Sequence, residues 1–336
     1  MIGLRRAVAV LRGPKLSPGP RVFERHTRTF VAAQSLVRAY YAALLFLAFS
    51  TLPEWGALLE RRNLDLLWPV AWARLVGEPA AWTIILIAYL GGTLFAAVFP
   101  NLRAARALAW LGVFEHAAIL NSFGKINHGM HLTVMTAFVL IFLPDVERSV
   151  KSAAPRAERH AYLMVLGGTQ ALALLTYTMA GIGKTVFFVY QAAVGEYHAL
   201  SPDALAIHVA EVIILTHKTP LIGAWIIDHS YLGLPLMAGM MYLQLFAFWA
   251  AFRPALHKAW GIGLVGFHIG TSVMMGILFP ENVLIVGLLM FASPFAASRP
   301  WSVRDMLYTL PLFGRRLRRL LEKRASSIAS APPPAA

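Results

Sequence analysis

The sequence predicts an all-α fold: a polytopic integral membrane helical bundle of about eight spans, with both termini in the cytoplasm. Three observations predict it. Of 336 residues, 58% are hydrophobic and 14% are charged, against roughly 25% charged in an average soluble domain. Apolar stretches long enough, or nearly long enough, to cross a bilayer recur along the chain. Once these are counted as alternating spans, the basic residues separate from the acidic ones.

Residues 1–30 form a basic N-terminal segment with Arg5, Arg6, Arg12, Lys15, Arg21, Arg25 and Arg28. They hold no long apolar run and no small-residue cleavage site, so a cleaved signal peptide is not expected. The membrane domain covers 31–296. Its apolar stretches fall near 31–50, 82–99, 104–121, 126–143, 161–180, 231–252, 259–279 and 282–296. The third and eighth are short or polar for spans, and 204–216 is too short and too charged to be one. Counts of seven and nine therefore stand as alternatives to eight. The larger connections, 51–81 and 181–230, carry Trp55, Trp68, Trp72 and Trp225, the residues of segments that lie at headgroup level. Residues 297–336 form a cytoplasmic tail, in which Arg315 to Arg324 read as a basic amphipathic helix and the final Pro/Ala run as disorder.

With the N-terminus inside, 23 of the 30 basic residues fall in cytoplasmic pieces. The exterior pieces hold 6 basic residues and 9 acids. The net charge of +14 thus describes orientation, and both basic termini are expected on anionic lipid headgroups rather than on nucleic acid. With no cysteine in the chain, disulfides, zinc knuckles and thiol nucleophiles are excluded together.

Ionisable residues within apolar spans mark cavities or partners. Arg38 lies in the first span, where it snorkels or pairs with Glu115. Glu115 and His116 sit late in the third span, His128 and His131 open the fourth, and Lys184 follows the fifth. By the topology, these and Lys125 share the exterior leaflet, where they could converge on one pocket. The Asn127-His128-x-x-His131 run puts two imidazoles on one helical face but offers no third ligand, so no metal is expected. His268 lies within Gly266-x-x-x-Gly270, which serves equally as a tight helix contact. Ala180 to Thr185 is not a phosphate loop, because the first glycine of that motif would fall at Thr178. Its glycines permit a helix break or a close backbone approach, leaving Lys184 on the rim of an apolar bundle. Partly removed from water there, the amine is a candidate general base. Simple snorkelling is the alternative.

Several of these runs, in this order, resemble the horizontally transferred transmembrane (HTTM) family, which includes the vitamin K-dependent gamma-glutamyl carboxylases. They are Leu36-Val37-Arg38, Asn127-His128 with Phe142-Leu143-Pro144, Ala180-Gly181-Ile182-Gly183-Lys184, Phe267-His268 and Ala292-Ser293-Pro294-Phe295. The resemblance covers about 31–296. It implies a lipid quinol (menaquinone, ubiquinone or vitamin K type) as cofactor, with Lys184 as the base that deprotonates it. His128 and His268 would be catalytic partners holding the quinol oxygens. Asn127, His131, Arg38, Glu115, His116 and Lys125 would line the binding site. It also implies the bacterial cytoplasmic (inner) membrane and a site open to its exterior. Gly183 stands where the carboxylases have a second lysine, and the sequence shows no counterpart of their large lumenal domain. The resemblance therefore leaves two expectations open. One is a quinol-linked, carboxylase-like enzyme; the other is a non-catalytic membrane protein acting in maturation of, or immunity to, a secreted peptide.

Overall fold

The computed structural model describes residues 20–53, 55–56, 65–123, 128–145, 155–195, 198–297 and 302–329, with the side chains of 20–27 and 324–329 left aside. Among these the fold is all-helical, without a strand. Three helices are long and apolar enough to cross a membrane: Arg28–Ser50 within α1 (Pro20–Ser50), α3 (Glu78–Val98) and α6 (Arg156–Ala193).

Short turns at Trp68–Val70 and α2 (Ala73–Val76) lead into α3, which packs antiparallel on α4 (Arg103–Asn121). Two glycines set that approach. A Cβ at Gly112 would lie 2.5 Å from the Tyr89 backbone, and one at Gly92 would lie 2.7 Å from the Leu108 carbonyl oxygen. Only glycine lets the two backbones meet so closely. Along α3, Trp82, Ile85, Tyr89 and Ala96 are buried, while Ile84, Ile87, Leu94 and Val98 on the other side are exposed and equally apolar. An outer face of this kind suits lipid better than water.

Arg106, one of the 23 basic residues counted in the cytoplasmic pieces as a loop cation, is fully buried. Its guanidinium donates to Pro100 O (2.8 Å), to Asp145 Oδ1 (2.8 Å) and to the Leu143 carbonyl. It thereby serves carbonyls just beyond α5 (His131–Leu140), which the ending helix leaves without intrahelical donors. The fourth apolar stretch, read as 126–143, thus yields a ten-residue helix.

The fifth, read as 161–180, belongs to a helix of 38 residues that runs unbroken through Ala180 to Lys184. The glycines there do not break it. Gly181 instead seats α6 against α9 (Gly233–Leu245), where a Cβ would come within 2.7 Å of Leu245 N. The stretch 231–252 is divided between α9 and α10 (Ala247–Ala251). Between α6 and α9 lie α7 (Ala204–Thr216) and α8 (Gly223–Asp228), which share a small cluster of Leu205, Val209 and Ile226.

The seventh stretch is α11 (Pro254–Met275), ended by Gly276 at φ 70°, a left-handed position that favours glycine. The eighth is α12 (Pro280–Val286), continued by a π-helical turn at Gly287–Phe291 and followed by α13 (Pro294–Ala297). The tail is a hairpin of α14 (Val303–Thr309) and α15 (Gly314–Ala329). One large apolar core joins α1, α3–α6 and α10–α12 through Tyr40, Tyr41, Tyr89, Tyr162 and Trp260.

Candidate functional site

Among the described residues, the ionisable side chains expected to share one pocket make their contacts in three groups. Glu115 and His116 belong to an aromatic cluster at the Asn121 end of α4. Trp72 donates its indole N–H to Glu115 (3.2 Å), and the His116 ring is stacked between Tyr89 (4.7 Å between centroids) and Trp55 (5.3 Å). The second group is His128 and His131 at the start of α5, with their Nδ1 atoms 3.3 Å apart. A metal site needs more. Among the described residues no group of three or more His, Cys, Asp or Glu could hold an ion.

Arg38 does not pair with Glu115. It is exposed on the outer stripe of α1 with Val31 and Phe46, and the Glu115 carboxylate is met by Trp72. Lys125 and Asn127 lie outside the described residues.

The third group is built on α6. Residues seven apart in an α-helix return to nearly the same face, and Gln170, Tyr177 and Lys184 form such a series. Each meets a different element. Tyr177 and His268 of α11 share a 2.7 Å hydrogen bond between Oη and Nε2, both side chains being buried. Lys184 Nζ donates to Gln244 Oε1 of α9 at 3.0 Å. Gln170 donates to Ser293 Oγ (3.0 Å) and to the Leu289 carbonyl in the π-helical turn.

The register of α6 against α9 is antiparallel, with Lys184 beside Gln244, Gly181 beside Leu245, and Thr178 accepting from Phe248 N (2.9 Å). Thr178 also donates to Gln244 O (3.1 Å). One hydroxyl thus serves both sides of the break at Phe246, and this holds Gln244 in place under the lysine.

Lys184 is exposed at the edge of the bundle while its amine turns inward to a neutral amide. The outward side of the second half of α6 is apolar. Met179, Ile182, Val186, Phe187, Val189 and Tyr190 are all exposed. Such a helix is at home in lipid rather than water. No carboxylate among the described residues pairs with Lys184.

His268 is 4% exposed, and its second nitrogen, Nδ1, has no partner. An orphaned buried ring nitrogen costs free energy unless something meets it. Lys184 and the Tyr177–His268 pair therefore share one face of α6, about 10 Å apart along its axis. No hydrogen bond or ring contact among the described residues joins His128 or His131 to either of them.

No family model matches this chain, nor does any curated protein or solved structure.

Sequence reasoning missed Tyr177, Gln244 and the chain in which Gln170 and His257 Nδ1 of α11 (2.7 Å) both meet Ser293 Oγ. A signal existed for them. Gln170, Tyr177 and Lys184 are heptad-spaced polar residues in an apolar helix, and Gln244 is the one amide in the thirteen residues of α9.

Proposed function

We propose that this protein is a multi-pass enzyme of the bacterial cytoplasmic membrane that acts on a lipid quinol, with Lys184 as general base, as its resemblance to the HTTM family and the vitamin K-dependent carboxylases implies. The observation that carries the reading is the bond from Lys184 to Gln244, at 3.0 Å, on a helix whose surroundings are apolar. A carboxylate would hold the ammonium charged and fix it as a structural ion pair. An amide oxygen accepts its hydrogen bond without favouring the charged form as strongly. Released from water and from counter-ions, the lysine can take a proton from a phenolic hydroxyl within reach.

His268 fits the same ligand. Its orphaned Nδ1 is a buried polar atom that a hydroxyl or carbonyl of the bound ring would satisfy, while Tyr177 fixes the other nitrogen. The exposed apolar flank of α6 offers a lateral path from the bilayer for an isoprenoid-tailed molecule. The quinol, when bound, supplies the redox chemistry; Lys184 moves the proton, and the Tyr177–His268 pair holds the ring.

Quinol turnover by purified protein tests this directly. Lys184→Ala should abolish turnover and leave the fold intact. Unchanged turnover would sink the proposal. A second reading, a non-catalytic partner in maturation of or immunity to a secreted peptide, draws on the same bond, since Lys184 and Gln244 can satisfy each other as structure alone. Under that reading Lys184→Ala lowers detergent stability, and quinone is absent from lipids extracted from the purified protein and analysed by mass spectrometry.

A further inference from the structure

The α14–α15 hairpin is anchored to the bundle but leaves an apolar stripe uncovered. Its attachment is specific. Tyr242 Oη donates to Pro311 O (2.9 Å), Trp249 Nε1 donates to Thr309 O (3.3 Å), and the Tyr242 ring lies 6.0 Å from that of Phe313. The turn itself is sharply formed. Leu312 has φ 64°, and a Cβ on Gly314 would sit 2.5 Å from Tyr308 O. The hairpin therefore has a fixed exit from the break between α9 and α10.

Beyond that turn, Phe313, Leu317, Leu320 and Leu321 follow the i, i+4, i+7, i+8 spacing of one helical face. The bundle leaves most of this face open: Phe313 is 58% exposed, Leu320 59% and Leu321 40%, with Leu317 half-buried. By helical periodicity Arg316 and Lys323 border it on one side and Arg318 on the other, with Arg315 and Arg319 opposite. All five cations are exposed, and Glu322, bonded to Arg318 at 2.8 Å, is the single acid among residues 314–323.

We infer that α15 lies flat on the anionic surface of the same bilayer that the long helices enter, with Phe313, Leu320 and Leu321 in the acyl boundary and the flanking cations on lipid phosphates. Charge complementarity and continuity with the membrane-spanning helices select this occupant. An apolar stripe bordered by cations matches a negatively charged lipid surface on both counts. A protein groove would satisfy the leucines without needing a basic border on each side.

Because the chain has no cysteine, a single engineered thiol reports on one position. Full-length Leu320→Cys, labelled with an environment-sensitive fluorophore, is reconstituted in nanodiscs of phosphatidylcholine with or without about 30% phosphatidylglycerol. The expected result is a blue shift, with quenching by spin-labelled lipid, that requires the anionic lipid. The same label on Arg315→Cys should stay in water. Adding Arg316→Gln, Arg318→Gln and Lys323→Gln to the Leu320→Cys chain should remove the shift, with size-exclusion elution confirming the fold. An equal signal in both lipids, or equal burial of the labels at 315 and 320, would overturn the inference.

Discussion

His257 and His268 lie on the same face of the same helix, α11, three turns apart, and both are buried. Their hydrogen bonding differs. His257 is satisfied at both nitrogens: Nε2 meets Ala251 O at 3.1 Å, and Nδ1 meets Ser293 Oγ at 2.7 Å. Gln170 completes that chain from α6. His268 is met once, by Tyr177, and its Nδ1 stays open. A closed chain of hydrogen bonds fixes helices against each other, whereas a half-closed one leaves a group that only another molecule can satisfy. On that difference we read His257 as structural, and the proposed function assigns His268 to its site.

Four substitutions sharpen or break this contrast. The largest expected effect is on Lys184→Ala, which should lower quinol turnover by about 100-fold or more, the contribution typical of a positioned base. Its thermal stability in detergent should barely change, and a parallel loss of both would merge the two regions into one structural network. His257→Phe should do the reverse. It removes the side-chain partner of the Ala251 carbonyl and one of the two partners of Ser293 Oγ, at a cost of about 1–3 kcal/mol in unfolding free energy. Turnover per folded molecule should be retained.

Gly181→Ala tests the seat of α6 on α9, since its new Cβ would lie 2.7 Å from Leu245 N. The helices must separate, at about 1–3 kcal/mol, and the Lys184–Gln244 bond should loosen with them. A drop in turnover larger than the drop in stability is the expected sign. Tyr177→Phe is the mildest, at about 0.5–1.5 kcal/mol for one lost hydrogen bond. It should weaken quinol binding while sparing the His257 chain.

Much of the helical plan was legible from apolar runs and charge, because a lipid-facing helix must be apolar over its length and says so in composition. Three of the expected spans coincide with helices long and apolar enough to cross a membrane. Helix ends were less legible. Arg106 reads as a loop cation, yet it is buried because Asp145 and the carbonyls after α5 come back to meet it, a contact across 39 residues that no local pattern records. Lys184 and His268 were legible as polar residues in apolar runs. The expected convergence of Glu115, His116, Lys125, His128, His131 and Lys184 on one pocket rested on depth alone. Depth does not fix direction around a helix. His116 is stacked between Trp55 and Tyr89, and no hydrogen bond or ring contact among the described residues joins it to Lys184.

The most direct measurement is the affinity of a short-chain naphthoquinol for the wild-type protein, His268→Phe and His257→Phe in the same detergent. If the open nitrogen of His268 receives the ligand, His268→Phe should weaken binding by about tenfold, one lost hydrogen bond to a buried group. His257→Phe should bind as the wild type does. Equal affinities in all three, or loss in His257→Phe alone, would contradict the assignment of the functional site to His268 and the α6 face it shares with Lys184.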